Sequence, residues 1–165
     1  MSSQPPESQS RCVAYSKSLK HLAVANNLGI VTIREIDWAK VDAREPESLD
    51  NVIHKGIFKG VKKAEWIECM AYSPDGETLA VGSHDNNIYL LDTSKDYDDK
   101  RATKSKAILT GHSSFITSLD WDIESTYIRS NCGAYELLFF NTKASPGKQR
   151  DPSGASNTVG TIWVD

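Results

Sequence analysis

The chain has 165 residues, with 19 basic and 22 acidic side chains for a formal net charge of −3. Hydrophobic residues make up 39% and charged residues 25%, enough apolar material for one domain core and too much for wholesale disorder. The charge balance gives no sign of general nucleic-acid binding, and the longest apolar runs fall far short of the roughly 18 residues a membrane helix needs.

Residues 1–10 (MSSQPPESQS) are polar with two prolines and are expected to be a flexible tail. Residues 11–16 and 22–25 are short β-like runs across a basic, serine-containing turn, and Gly29 interrupts before the β-favouring stretch at 30–36. Pro46 breaks residues 38–50. A connection with some local structure is the expected reading there, with a short helical turn around 38–44 as the alternative. Residues 52–58 (VIHKGIF) could form an outer strand.

The middle of the chain is clearest. Residues 66–73 (WIECMAYS) read as an inner strand, followed by the turn Pro74-Asp75-Gly76, where proline fixes φ at the first corner and glycine accepts a positive φ. Strands at 78–83 and 88–91 flank the turn His84-Asp85-Asn86-Asn87. Residues 92–106 are a hydrophilic insertion, an acidic block before a basic one. Residues 107–110 would end an outer strand, and strands at 115–121, 127–130 and 135–140 follow. Residues 141–160 revert to polar loop composition, and TIWVD at 161–165 reads as the start of a further strand.

These elements repeat. LAVGSHDNNIYLLD (79–92) and IRSNCGAYELLFFN (128–141) share one hairpin plan, and LAVANNLGIVTIRE (22–35) is a weaker third copy. Tyr15, Tyr72 and Trp121 stand 57 and then 49 residues apart, and Val24, Val81 and Ser130 give the same two intervals. Equal offsets on two different strands indicate a true repeat.

Gly111-His112 followed by FITSLDW, and SPDG followed by LAVGSHDNNIYLLD, resemble WD40 repeats, whose units are four-stranded propeller blades. WIECMAYSPDGETLAVGSHDNNIYLLD, GHSSFITSLDWD and YIRSNCGAYELLFFNT further resemble the echinoderm microtubule-associated protein-like family over roughly residues 11–163. The implied fold is all-β: a WD40-type β-propeller fragment of about three antiparallel four-stranded blades in an incomplete ring. The divisions expected are a tail (1–10), a divergent first blade with an insertion (11–60), a second blade (61–110), the inner strands of a third (111–145), and a loop with the start of a further strand (146–165). A ring needs at least four blades. The chain would therefore be a segment of a longer propeller, a partner completing a ring with another WD40 chain, or an open or homo-oligomeric array.

The resemblance implies a buried polar relay of histidine, serine, aspartate and tryptophan in each blade. His112 and Ser130 match it, but Ala134 and Phe140 stand at the aspartate and tryptophan positions. Asp85 matches in the middle blade, where Leu91 replaces tryptophan and Lys63 falls near the histidine position. Packing rather than a full relay is the expected source of stability. Pro74, Asp75, Gly76, Asp85, Gly111, His112, Trp121, Ser130 and Phe140 are the expected structural repeat positions.

No catalytic motif is present, and His21, His54, His84 and His112 lack metal-ligand spacing, so neither an enzyme nor a metal or other cofactor is expected. Cys12, Cys69 and Cys132 read as buried thiols of a reducing, intracellular setting. The family resemblance implies a non-enzymatic scaffold of the cytoskeleton, cilium or flagellar axoneme, with tubulin, microtubules or other axonemal proteins as partners. Lys55, Lys59, Lys62 and Lys63, and Lys100, Arg101, Lys104 and Lys106, would offer salt-sensitive contacts to an acidic surface. No sustained heptad pattern corresponds to that family's amino-terminal coiled coil, so strong independent microtubule binding is not expected. A general WD40 adaptor for non-cytoskeletal proteins is the alternative.

Overall fold

The computed structural model describes residues 8–45, 51–56, 65–93, 105–145, 148–150 and 160–164. Eleven strands are seen among them. The first sheet has the order β1 (Ser10–Ser16), β2 (His21–Asn26), β3 (Val31–Glu35) and β4 (Val52–Gly56). The second runs β5 (Ile67–Tyr72), β6 (Thr78–Ser83), β7 (Ile88–Asp92) and β8 (Ser105–Leu109). The third contains β9 (Ile116–Trp121), β10 (Tyr127–Cys132) and β11 (Leu137–Asn141). All pairings are antiparallel between sequence neighbours, and the innermost strands β1, β5 and β9 lie side by side. The result is an open, incomplete propeller arrangement.

The register reproduces the repeat. Tyr15 faces Leu22, Tyr72 faces Leu79 and Trp121 faces Ile128, while Val24, Val81 and Ser130 face Val13, Met70 and Leu119. The third sheet shows three strands among the described residues. Beside its outer edge, Arg150 bridges to Phe140.

The short helical alternative holds over α1 (Trp38–Asp42). Asp37 accepts from the backbone N–H groups of Ala39 and Lys40, satisfying donors that the first turn leaves free. The helix places Trp38 edge-on against Tyr15, with ring centroids 6.0 Å apart. TIWVD also finds a partner: Ile123 N–H donates to Ile162 O, and Val164 N–H to Trp121 O, so Trp163 bridges Asp122 at the end of β9.

Two apolar cores fill the two inter-blade spaces. Ala14, Ala23, Ala25, Val31 and Ile33 of the first blade meet Ile67, Met70, Tyr72 and Leu79 of the second. Ala80, Ile88 and Leu90 of the second meet Ile116, Leu119, Trp121 and Phe140 around the third. The middle blade is covered on both faces, which is why β7 (IYLLD) is a continuous apolar run buried at every position. Trp121 Nε1–H crosses between blades to Ala71 O at 3.1 Å.

Pro74-Asp75-Gly76 forms a closed turn. Gly76 N–H donates to Ser73 O, and Asp75 Oδ1 accepts from Ser73 Oγ–H and Glu77 N–H. Gly76 has φ +77°, and a Cβ there would lie 2.7 Å from Ser18 Oγ of the first blade. Asp75 N–H reaches Ser125 Oγ of the third blade at 3.1 Å, so this turn links all three units.

Candidate functional site

The residues best placed to meet partners lie on the two terminal blade faces and along one rim. Register-equivalent residues measure how bare the first face is. Val13 is 61% exposed, whereas its equivalents Met70 and Leu119 are 9% and 7% exposed. Tyr15 is 44% exposed, against 8% for Tyr72 and 2% for Trp121. Among the described residues, no blade covers in the first unit the side chains that fill inter-blade cores in the second and third.

The opposite end shows the complementary pattern. The face buried through Ala23, Val31 and Ile33 in the first blade, and through Ala80, Ile88 and Leu90 in the second, carries Arg129, Leu137 and Phe139 in the third. Leu137 is 54% exposed. Arg129 forms an ion pair with Asp120 at 2.9 Å, and its guanidinium lies 4.6 Å from the Trp163 ring centroid, which also contacts Phe139.

A ladder of rings and charges crosses the rim. Arg11 of the first blade donates to both carboxylate oxygens of Glu68 and lies over Trp66, 4.7 Å from the ring centroid. Trp66 contacts His84, and His84 stacks on Phe115 of the third blade at 4.5 Å and 20°. Beyond Phe115, Tyr135 is 99% exposed at φ +63°. Gly29, Asn86 and Tyr135 share one left-handed turn position, at φ 75°, 70° and 63°. Glycine and asparagine tolerate it, whereas a bulky tyrosine is strained there, a pattern associated with functional surfaces. Sequence reasoning missed this ladder, although Trp66 and Phe115 stand 49 residues apart, the interval of the repeat itself.

The polar relay is rebuilt with different residues. In the third blade, His112 Nε2 and Ser130 Oγ are 2.8 Å apart and buried. Ala134 supplies no acceptor. Glu136, two residues on, brings Oε2 to 3.5 Å from His112 Nδ1. The same oxygen accepts from Ser113 N–H at 2.9 Å and Cys132 S–H at 3.2 Å, and these bonds hold the carboxyl down at about 2. Burial lowers the His112 pKa, against the opposing pull of Glu136. In the second blade, the Tyr89 hydroxyl donates to Asp85, while Leu91 fills the tryptophan position in the core. Phe140 does so in the third. Gly111 has φ +135° and packs against Arg150.

The thiols differ from the expectation of three buried cysteines. Cys132 is buried, but Cys12 and Cys69 are half-buried between blades. Burial pushes both of the latter up to about 12, so they are protonated at neutral pH.

Of the basic residues expected to meet an acidic partner, Lys106 is described in full. Its ammonium donates to Glu77 O at 2.8 Å and Thr78 Oγ1 at 3.3 Å, and lies 3.5 Å from Asp92, so it braces its own blade. Lys55 stands on β4 opposite Thr32. Lys59, Lys62, Lys63, Lys100, Arg101 and Lys104 lie outside the described residues.

Three stacked antiparallel sheets with repeat-matched register define a β-propeller segment of WD-repeat type. Residues 2–159 match the family model described as the echinoderm microtubule-associated protein second beta-propeller, and the chain belongs to that family. The ciliary WD repeat-containing protein ctxp80 of Euplotoides octocarinatus is 49% identical over 143 residues, 87% of this chain and 17% of that protein. Human echinoderm microtubule-associated protein-like 3 is 36% identical over 132 residues, covering 79% of this chain and 12% of its own. Human echinoderm microtubule-associated protein-like 1 is 47% identical over 76 residues, 46% of this chain and 9% of its own. The chain thus spans less than a fifth of each. A chain of the mitotic checkpoint complex crystal structure superposes with a TM-score of 0.64 at 18% identity, covering 87% of this chain and 37% of that one, a likeness of fold.

Proposed function

We propose that this chain forms consecutive blades of a non-enzymatic, microtubule-associated propeller scaffold acting in the cytoskeleton or a ciliary axoneme. The observation that carries the reading is the exposure of Val13 and Tyr15 beside the burial of their equivalents Met70, Tyr72, Leu119 and Trp121. An apolar blade face of this kind is stable when another blade covers it. The covering blades come from the same longer polypeptide or from a second WD-repeat chain. Family membership, and relatives whose names carry microtubules and cilia, support the cytoskeletal assignment.

The filament contact is assigned to the basic residues Lys55, Lys59, Lys62, Lys63, Lys100, Arg101 and Lys104 together with the aromatic rim of Trp66, Phe115 and Tyr135. Attraction of these lysines to an acidic filament surface is long-ranged and screened by salt. Co-sedimentation of the chain with microtubules across a salt series tests this. Pelleting that declines as salt rises is expected, whereas no pelleting at any salt concentration would favour an adaptor for non-cytoskeletal proteins.

A further inference from the structure

We propose that Nδ1 of His112, Sγ of Cys132 and Oε2 of Glu136 form a three-ligand Zn2+ site at the rim of the third blade. The three ligand atoms lie within 4.8 Å of one another, with Oε2 3.2 Å from Sγ and 3.5 Å from Nδ1. Zinc holds nitrogen and oxygen at about 2.0–2.2 Å and sulfur at about 2.3 Å, so tetrahedral ligands stand roughly 3.4–3.6 Å apart. The Nδ1–Sγ edge, no longer than 4.8 Å, would close towards that spacing on binding.

The histidine points to a cation independently of the cluster. Its side chain is 1% exposed, and Nδ1 is buried with no hydrogen-bond partner. Nε2 is engaged by Ser130. If Nε2 carries the proton and donates to Ser130, Nδ1 presents a lone pair towards a carboxylate oxygen. Two facing lone pairs repel, and a cation between them would relieve that repulsion. If Nδ1 carries the proton instead, it sits too far from Oε2 for a good hydrogen bond. A metal ion satisfies nitrogen, sulfur and oxygen together.

The surroundings suit this use. Ser130 orients the imidazole through its far nitrogen, and Ser113 N–H orients the carboxylate, as outer-shell partners of metal ligands do. Cys132 and Glu136 flank a turn closed by bonds from Cys132 N–H to Glu136 O and from Tyr135 N–H to Cys132 O. The fourth position would go to water from a cavity of about 530 Å3 lined by Phe115, Cys132, Gly133 and Tyr135. Binding exchanges the thiol proton of Cys132 for the metal. One proton leaves to solvent and no electrons move. The equivalents of Cys132 and Glu136 in the second blade are Ser83 and Asn87, so the ligand set belongs to the third blade.

The test uses the chelator-stripped, reduced chain, titrated with Zn2+ against a colorimetric chelator and, separately, with Co2+. One equivalent of zinc and a thiolate-to-cobalt charge-transfer band are expected. Cys132→Ser should abolish the band. It should also weaken zinc by more than the ~10–100-fold that outer-shell partners contribute. Glu136→Gln, a change at a half-exposed side chain, should weaken zinc while keeping the band. Absence of the band in the unmodified chain, or zinc affinity unchanged in both variants, would overturn the proposal. The cobalt spectrum of the unmodified chain decides the matter even if a variant misfolds.

Discussion

Tyr15→Ala and Tyr72→Ala delete the same atoms from the same register position of adjacent blades. Tyr72 is 8% exposed and packed into the first inter-blade core, whereas Tyr15 is 44% exposed. With about 200 Å2 for a fully covered tyrosine, the difference is roughly 70 Å2, or about 1.8 kcal/mol at ~25 cal/mol per Å2. Tyr72→Ala should therefore cost about 3–5 kcal/mol, the range for truncating a buried aromatic ring. Tyr15→Ala should cost about 1–3 kcal/mol, mostly lost contact with Trp38 and the first sheet. Urea unfolding followed by tryptophan fluorescence reads both, provided the slope m is unchanged. In a longer protein that supplies the preceding blade, the Tyr15→Ala cost should rise towards that of Tyr72→Ala. Equal costs in the chain alone would refute the reasoning, because they would mean that the Tyr15 face is already covered.

Gly82→Ala should destabilise by about 1–3 kcal/mol, since a Cβ there lies 2.5 Å from Cys69 Sγ and 2.8 Å from the buried Ile116 Cγ2. A thermal melt measures it, and adding Cys69→Ala should restore part of the loss by removing the nearer clash. Tyr135→Asn, matching Asn86 of the second blade, should gain up to ~1 kcal/mol by relieving a left-handed tyrosine, while weakening microtubule pelleting. Burial lowers the His21 pKa below its ordinary value near 6.5, with Glu35 opposing. The unfolded chain then binds more protons just below pH 6.5, so His21's contribution is complete above that pH and is lost as pH falls towards the folded value. Melting temperature should drop between pH 7.5 and 5.5, and His21→Gln should lessen that dependence, with the buried His112 contributing in the same direction.

The repeat was legible because packing imposes it. Tyr15, Tyr72 and Trp121 share a register, so their spacing in sequence carries blade geometry directly. The turn at Pro74-Asp75-Gly76 was legible because its constraints are local. Glu136 was not, since the relay pattern places its acid at position 134 and the replacement reaches His112 from two residues further along. The metal-type cluster was hidden for a related reason: Cys132 closes β10 and His112 precedes β9, so only strand pairing brings them together. The ladder from Arg11 to Phe115 depends on three blades stacking, which no single-repeat pattern contains. Helix α1 was offered only as an alternative because Pro46 drew the reading of the whole 38–50 stretch towards irregular structure. The Asp37 cap acts nine residues earlier and was enough to hold one short turn.

The two terminal faces are not interchangeable, and this bears on how the ring is completed. At both inner interfaces, a valine-or-larger row from one blade meets small residues on the other: Met70 and Tyr72 pack in the core that holds Ala23 and Ala25, and Leu119 and Trp121 in the core that holds Ala80. A second copy docking head to tail would bring Val13 and Tyr15 against the third blade. There it would meet Arg129, where the inner blades have Ala23 and Ala80, with Trp163 stacked over it and Asp120 paired to it. Closing that contact would bury a guanidinium and a carboxylate that now share solvent, a desolvation cost that the inner interfaces do not carry. Self-assembly into a ring should therefore be disfavoured, and a blade of different sequence, with room for Arg129, should fit better. Light scattering after size exclusion should find no closed homo-oligomer of the chain at any concentration at which it stays soluble. Arg129→Ala, which restores the small residue of the inner interfaces, should increase self-association, and a discrete ring formed by the unmodified chain would refute the argument.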